Sequence, residues 1–186
     1  MRQVSVFNFM TMNGFFKGPG GDIRWNGHRG GEERDYAVDS MQPGNIILMG
    51  RATYELMIQW WPTPQAIQAD PVMAAGMNDC EKIVFSRTLK RVDWKNATLA
   101  KGDLIETVRK LKQTPGKDLT VLGSGSLVTQ LAEAALIDEY QFMINPVAIG
   151  EGTSVFRGLS HTLQLELVSS RAFNTGSVLV TYKPIS

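Results

Sequence analysis

Cysteine occurs once in the chain, at Cys80, and histidine twice, at His28 and His161. A single thiol excludes any disulfide within the chain. No base stands beside it in the sequence, so Cys80 reads as a partly buried, inert thiol. Two imidazoles and one thiol fall short of a zinc ligand set, and no metal site is expected. A charge excess is lacking too. The formal net charge is +1, from 19 basic and 18 acidic residues. Nucleic-acid binding needs a clustered basic surplus. The densest basic stretch, Lys82 to Lys95, is broken by Phe85, Leu89, Val92 and Asp93 and reads as solvated surface. No apolar run is long enough for a membrane span. The opening MRQVSVFNFMTMNGFF has neither the apolar core nor the cleavage site of a signal peptide. These absences point to the cytoplasm and to a small-molecule partner.

What is present is an α/β pattern. The 186 residues suffice for one domain, 1–186, with its own core. Strands are expected at Val4–Met10, Asn45–Met49, Lys82–Ser86, Ala97–Ala100, Leu119–Leu122, Glu139–Asn145, Leu163–Phe173 and Ser177–Lys183. Helices are expected at Glu32–Met41, with Tyr36, Val38 and Met41 inward, and at Arg51–Trp60. Two more are expected at Leu104–Lys112, capped by Asp103, and Ser124–Ala135. Pro62–Asp79 reads as irregular or weakly helical, and the Gly-rich Thr11–Gly31 as a long loop that could cover a site. NIILM, KIVFS and LTVL are continuous apolar runs, as in strands covered on both faces. Alternating strands and helices followed by strands alone predict a mixed, mainly parallel sheet with an antiparallel C-terminal edge.

Three strand ends carry the chemistry. NIILM is followed by Gly50, Arg51, Ala52 and Thr53. KIVFS runs into Ser86, Arg87 and Thr88, and LTVL into Gly123, Ser124, Gly125 and Ser126. Parallel strands would bring these junctions to one edge, where open α/β sheets bind ligands. Glycines there allow close approach of main chain, and helix starts attract phosphate oxygens. Arg51 and Arg87 offer forks for a phosphate monoester, which suits NADPH better than NADH. Each junction alone also reads as a plain turn or a surface arginine; their common edge is the argument. The standard dinucleotide fingerprint does not fit. Val128 stands at its third glycine position, the motif is late in the chain, and Asp138 falls at a strand start.

These residues resemble a known family. Leu48 to Glu55 is similar to the MGR-x-T-[YW]-E segment of dihydrofolate reductases. Phe85 to Leu89 resembles the SRTL segment in the reductase domain of the riboflavin-biosynthesis deaminase–reductase. Leu122 to Leu127 resembles that domain's GG-x-x-L turn, Ile137 to Tyr140 its L-V-D-E strand entry, and Asn145 to Gly152 with Phe156 its P-V-x-L-G-x-G segment. Met12 to Phe15 resembles the L-D-G after the first strand, with Asn13 in place of the acid.

The resemblance implies a dihydrofolate-reductase-like fold, NADPH as cofactor and a homodimer. It implies that Gly50, Arg51 and Thr53 hold the adenosine phosphate end. Ser86, Arg87 and Thr88 would flank the adenine ribose. Gly123, Ser124, Gly125, Ser126 and Leu127 would cradle the pyrophosphate. Asn13, Gly14 and Trp25 would lie near nicotinamide and substrate. Dihydrofolate reductases carry an acid on the first helix; counting back from Gly50 reaches Arg34, flanked by Glu33 and Asp35.

A reduced substrate needs a proton as well as a hydride. Glu33, Asp35 and Asp22 are the candidate acids, each with a solvated-carboxylate alternative. Trp25 reads as a stacking wall or as a loop anchor, and Trp60–Trp61 as a core cap. Three functions stay open. The first is an NADPH-dependent reductase of a pteridine- or pyrimidine-like molecule. The second is reduction of 5-amino-6-(5-phosphoribosylamino)uracil in riboflavin synthesis, for which Arg24, Arg29 and Arg34 could receive the substrate phosphate. The third is a non-catalytic NADPH-binding regulator.

Overall fold

A computed structural model of the chain describes residues 1–27, 31–41 and 44–185. His28 and Arg29 lie outside the described residues, as does the side chain of Met41. Eight strands form one sheet: β1 Val4–Thr11, β2 Ile46–Gly50, β3 Lys82–Phe85, β4 Ala97–Leu99, β5 Leu119–Leu122, β6 Glu139–Asn145, β7 Leu165–Ala172 and β8 Val178–Pro184. Their order is β4-β3-β2-β5-β1-β6-β8-β7. Every pair from β4 to β6 is parallel; β8 and β7 continue antiparallel, joined through Asn174–Gly176. β4 and β7 are the two edges.

Alternation along the strands sorts the core onto two faces. Ile46, Leu48, Val4, Val6, Leu119 and Val121 point to one face. There α5 (Leu104–Gln113) and α6 (Gly125–Glu133) cover them with Val108, Leu127 and Leu131. Ile47 and Met49 point the other way, under α2 (Arg51–Ile58) and α4 (Pro71–Asp79). Phe7, Phe9 and Met143 share that second face further along, against Tyr36 of α1 (Glu32–Met41). Two clusters thus sit side by side on one face, and the cleft opens between them.

Two sequence readings are corrected. Of the two alternatives for Pro62–Asp79, irregular or weakly helical, the first falls: the segment holds α3 (Pro64–Ala69) and α4, each with proline in its first turn. Proline there has no N–H to lose and a preset φ, so it starts a helix instead of breaking it. Thr63 and Asp70 cap them, accepting from the N–H groups of Ala66 and Met73 at 3.2 and 3.0 Å. The second correction concerns Lys82, which belongs to no solvated basic stretch. It is 1% exposed. Its Nζ donates to the carbonyls of Cys80 and Asn78 at 2.5 and 3.3 Å, and lies 4.6 Å from the Trp94 ring centre. The ammonium therefore satisfies carbonyls at the C-terminal end of α4, where a positive charge suits the helix dipole. Burial lowers its pKa from the ordinary value.

Lys82→Met is expected to lower stability by about 1–3 kcal/mol, because it leaves those carbonyls buried without a donor. Urea unfolding at constant m-value would check this, and an unchanged midpoint would contradict it. Cys80 is half-buried, and its thiol lies near the Met77 carbonyl at 3.3 Å. Burial pushes its pKa up despite the neighbouring lysine.

Candidate functional site

The C-terminal ends of β2, β3 and β5 share one edge, as parallel pairing requires. A cleft of about 2060 Å³ opens there. Gly50, Arg51, Thr53, Ser86, Arg87, Thr88 and Gly123 to Leu127 all line it. So the structure brings together every residue that the sequence assigned to the cofactor.

The helix starts around the cleft are of two kinds, and those of α4 and α5 reach its lining too, through Asp70 and Asp103. α3, α4 and α5 are each capped by a side chain, from Thr63, Asp70 and Asp103. α2 and α6 have no side-chain cap. Their first N–H groups are left for another acceptor, and both helices begin at the cleft. The two starts are fastened to each other. The Gly50 N–H donates to Ser124 Oγ at 2.8 Å, and Ser124 Oγ donates to Thr53 Oγ1 at 2.8 Å. Ser124 sits in the left-handed region at φ 55°, ψ 55°, right after Gly123 at φ 61°. Such a conformation costs about 1–3 kcal/mol for a non-glycine residue, and this pair of hydrogen bonds holds it in place. The sequence pointed to Ser124 as a cradle residue but not to its role as a tie.

The charges of the rim follow. Arg51 is exposed and makes a 3.4 Å pair with Glu55 one turn on, a weak contact that an anion can displace. Arg87 is exposed, beside a turn in which Ser86 Oγ accepts from the N–H groups of Thr88 and Leu89 at 3.1 and 3.0 Å. Lys17, which sequence reasoning missed, also borders the cleft, near Ala52 and Thr153.

The other end of the cleft lies between α1 and the α2–α4 helices. Phe7, Phe9, Trp25, Met57, Trp60 and Met73 give it an apolar lining. Glu33 reaches it from α1 and is only 4% exposed. The Thr175 hydroxyl donates to Glu33 Oε1 in a short hydrogen bond. Among the described residues, Glu33 Oε2 and Trp25 Nε1 are buried without a hydrogen-bond partner. Buried polar atoms seldom stay unpaired, so this end has room for a ligand with matching groups.

The remaining acids stand apart from Glu33. Asp35 lines the cleft but is exposed and bonded to Arg34 at 3.0 Å. Asp22 does not line it; Arg24 grips both its oxygens at 2.9 and 2.8 Å and holds its carboxyl down at about 2. Asn13 and Gly14 are not in the lining either. Asn13 instead ties two loops, donating to the Ile149 carbonyl at 2.8 Å. Trp60 and Trp61 both line the cleft, and Trp61 also packs against the core cluster of Ile47 and Met49, as a core cap does.

Arg34 forms a two-pronged pair with Asp70, at 2.8 and 2.7 Å, which joins α1 to the head of α4. Arg34 keeps the Asp70 carboxyl at about 2, below its ordinary 3.8. The contribution of this latch is thus complete above pH 3.8 and is lost as the pH falls through about 2.

Comparison with known proteins agrees with this architecture. The chain is 30% identical over 182 residues to the uncharacterized protein YyaP of Bacillus subtilis (strain 168), covering 97% of this chain and 94% of that one. It superposes with TM-score 0.77 and 19% identity on a protein of Shewanella sp. PV-4 described under riboflavin biosynthesis, across 99% of both chains. It also matches a Thermotoga maritima diaminohydroxyphosphoribosylaminopyrimidine deaminase/5-amino-6-(5-phosphoribosylamino)uracil reductase, with TM-score 0.67 and 16% identity, covering 99% of this chain and 57% of that one. The fold is that of dihydrofolate reductase-like proteins. The RibD C-terminal domain model matches residues 2–179, and the chain belongs to that family.

Proposed function

We propose that this protein is an NADPH-dependent reductase acting on a small pteridine- or pyrimidine-like ring. The observation that carries the reading is the pair of uncapped helix starts, α2 and α6, facing one cleft and fastened through Ser124. They offer main-chain donors to a pyrophosphate, and Arg51 and Arg87 stand at the rim for a further phosphate. Gly125 leaves little room for a side chain there, and Gly50 is tight against Leu127. A Cβ on Gly125 would lie 3.1 Å from Phe16 and from the Val155 carbonyl.

Bound NADPH would supply the hydride. The chain's own residues do the rest. The apolar end excludes water and holds a flat ring against Trp25 and Phe7. Glu33, buried beside it, is placed to deliver the proton that the reduced ring needs. The family and the fold support a pyrimidine-reductase-like role.

Replacing Arg51 and Arg87 together by alanine tests the cofactor assignment. NADPH affinity is expected to fall by about tenfold or more, through loss of charge-assisted bonds, with NADH affinity nearly unchanged. Equal losses for both cofactors in calorimetry would contradict it.

A further inference from the structure

The two ends of the cleft differ in how their cations are used. Resting on the reductase reading above, we infer that the acceptor is an unphosphorylated ring, and that Asp70 sets this preference by occupying the guanidinium fork of Arg34.

At the rim, where the cofactor phosphates are placed, Arg87 and Lys17 make no ion pair among the described residues, and Arg51 makes a weak one. At the acceptor end the described lining cations are Arg24 and Arg34, and each is committed. Arg24 is 90% exposed and folded back on Asp22. Arg34 spends its Nε and Nη2 on Asp70 and its Nη1 on Asp35 at 3.0 Å, so each of its three nitrogens already donates to a carboxylate. A phosphate drawn to Arg34 would compete for that same planar fork.

Asp70 and Asp35 already take up the fork of Arg34, and Asp22 takes up that of Arg24. A phosphate dianion drawn to Arg34 would have to break its pair with Asp70. A neutral ring would not. The mouth is also apolar: Ile23 and Leu56 are exposed large side chains on the cleft lining, next to Trp60. Such a mouth suits an uncharged substituent better than a ribose phosphate.

The test uses a matched pair of ligands, 5-amino-6-(ribosylamino)uracil and its 5′-phosphate ester, titrated calorimetrically into NADP⁺-loaded wild-type protein. The unphosphorylated member is expected to bind at least about tenfold more tightly. Asp70→Asn keeps an N-cap for α4 but frees the Arg34 fork, and should shift the preference by about tenfold towards the ester. Tighter or equal binding of the ester to wild type would overturn the inference, as would an Asp70→Asn protein with unchanged preference. Binding of neither ligand would overturn the assigned ring class. Failure of NADP⁺ to bind in the loading step would instead strike the reductase reading itself, so the two failures are told apart.

Discussion

Glu33→Gln is expected to lower turnover by about 10²–10⁴-fold while leaving NADPH affinity close to wild type. Glutamine has the same shape and still accepts from Thr175, but it cannot give up a proton to the reduced ring. Packing therefore changes little, and the loss falls on the chemical step. The other carboxylates serve as controls. Asp35 is exposed and salt-bridged, and Asp22 lies off the cleft with both oxygens held by Arg24. Asp35→Asn and Asp22→Asn are expected to stay within about threefold of wild type, as surface substitutions do. NADPH oxidation under single-turnover conditions, with any acceptor found in a pteridine and pyrimidine panel, reads this step without product release. A loss of under about threefold for Glu33→Gln would remove Glu33 from the chemistry and leave a bound water as the proton source.

The sequence placed the sheet well, for a simple reason. NIILM, KIVFS and LTVL are apolar at nearly every position, and a strand with both faces covered has no other pattern to show. Once they are parallel, the rim follows, so Gly50, Arg87 and Gly123 could be placed together before any coordinates. The misread parts depend on contacts that composition does not encode. Pro62–Asp79 reads as irregular or weakly helical, because proline at a first turn looks the same in sequence as proline after a last one. Lys82 read as surface because its charge was weighed without the α4 carbonyls and Trp94 that accommodate it. The partners at the acceptor end are far apart along the chain. Glu33 meets Thr175 from the β7–β8 turn, and Arg34 meets Asp70 from the start of α4. With no period linking such pairs, the sequence could name Glu33, Arg34 and Asp35 as neighbours but not say which would be buried, which latched and which solvated.

Gly123→Ala is expected to be the most damaging single methyl at the rim. Gly123 holds φ at 61°, and an added Cβ would stand 3.0 Å from Thr53 Oγ1 and 3.2 Å from its Cγ2. The left-handed backbone alone costs an L-residue about 1–2 kcal/mol. Overpacking adds about 1–3 kcal/mol more, because Thr53 cannot rotate away without releasing the Ser124 hydroxyl. If Thr53 does give way, the tie between α2 and α6 is broken, and the two sets of free N–H groups no longer converge on one pyrophosphate. Thermal unfolding should therefore show a loss of about 2–5 kcal/mol, the combined strain and overpacking. NADPH affinity should drop by about tenfold or more in the same protein. A second substitution separates the causes. Thr53→Ala in the Gly123→Ala background removes the steric contact but not the backbone strain, so it should restore part of the stability and none of the cofactor affinity. Full recovery of binding in that double variant would mean that the Ser124–Thr53 bond plays no part in aligning the two helix starts.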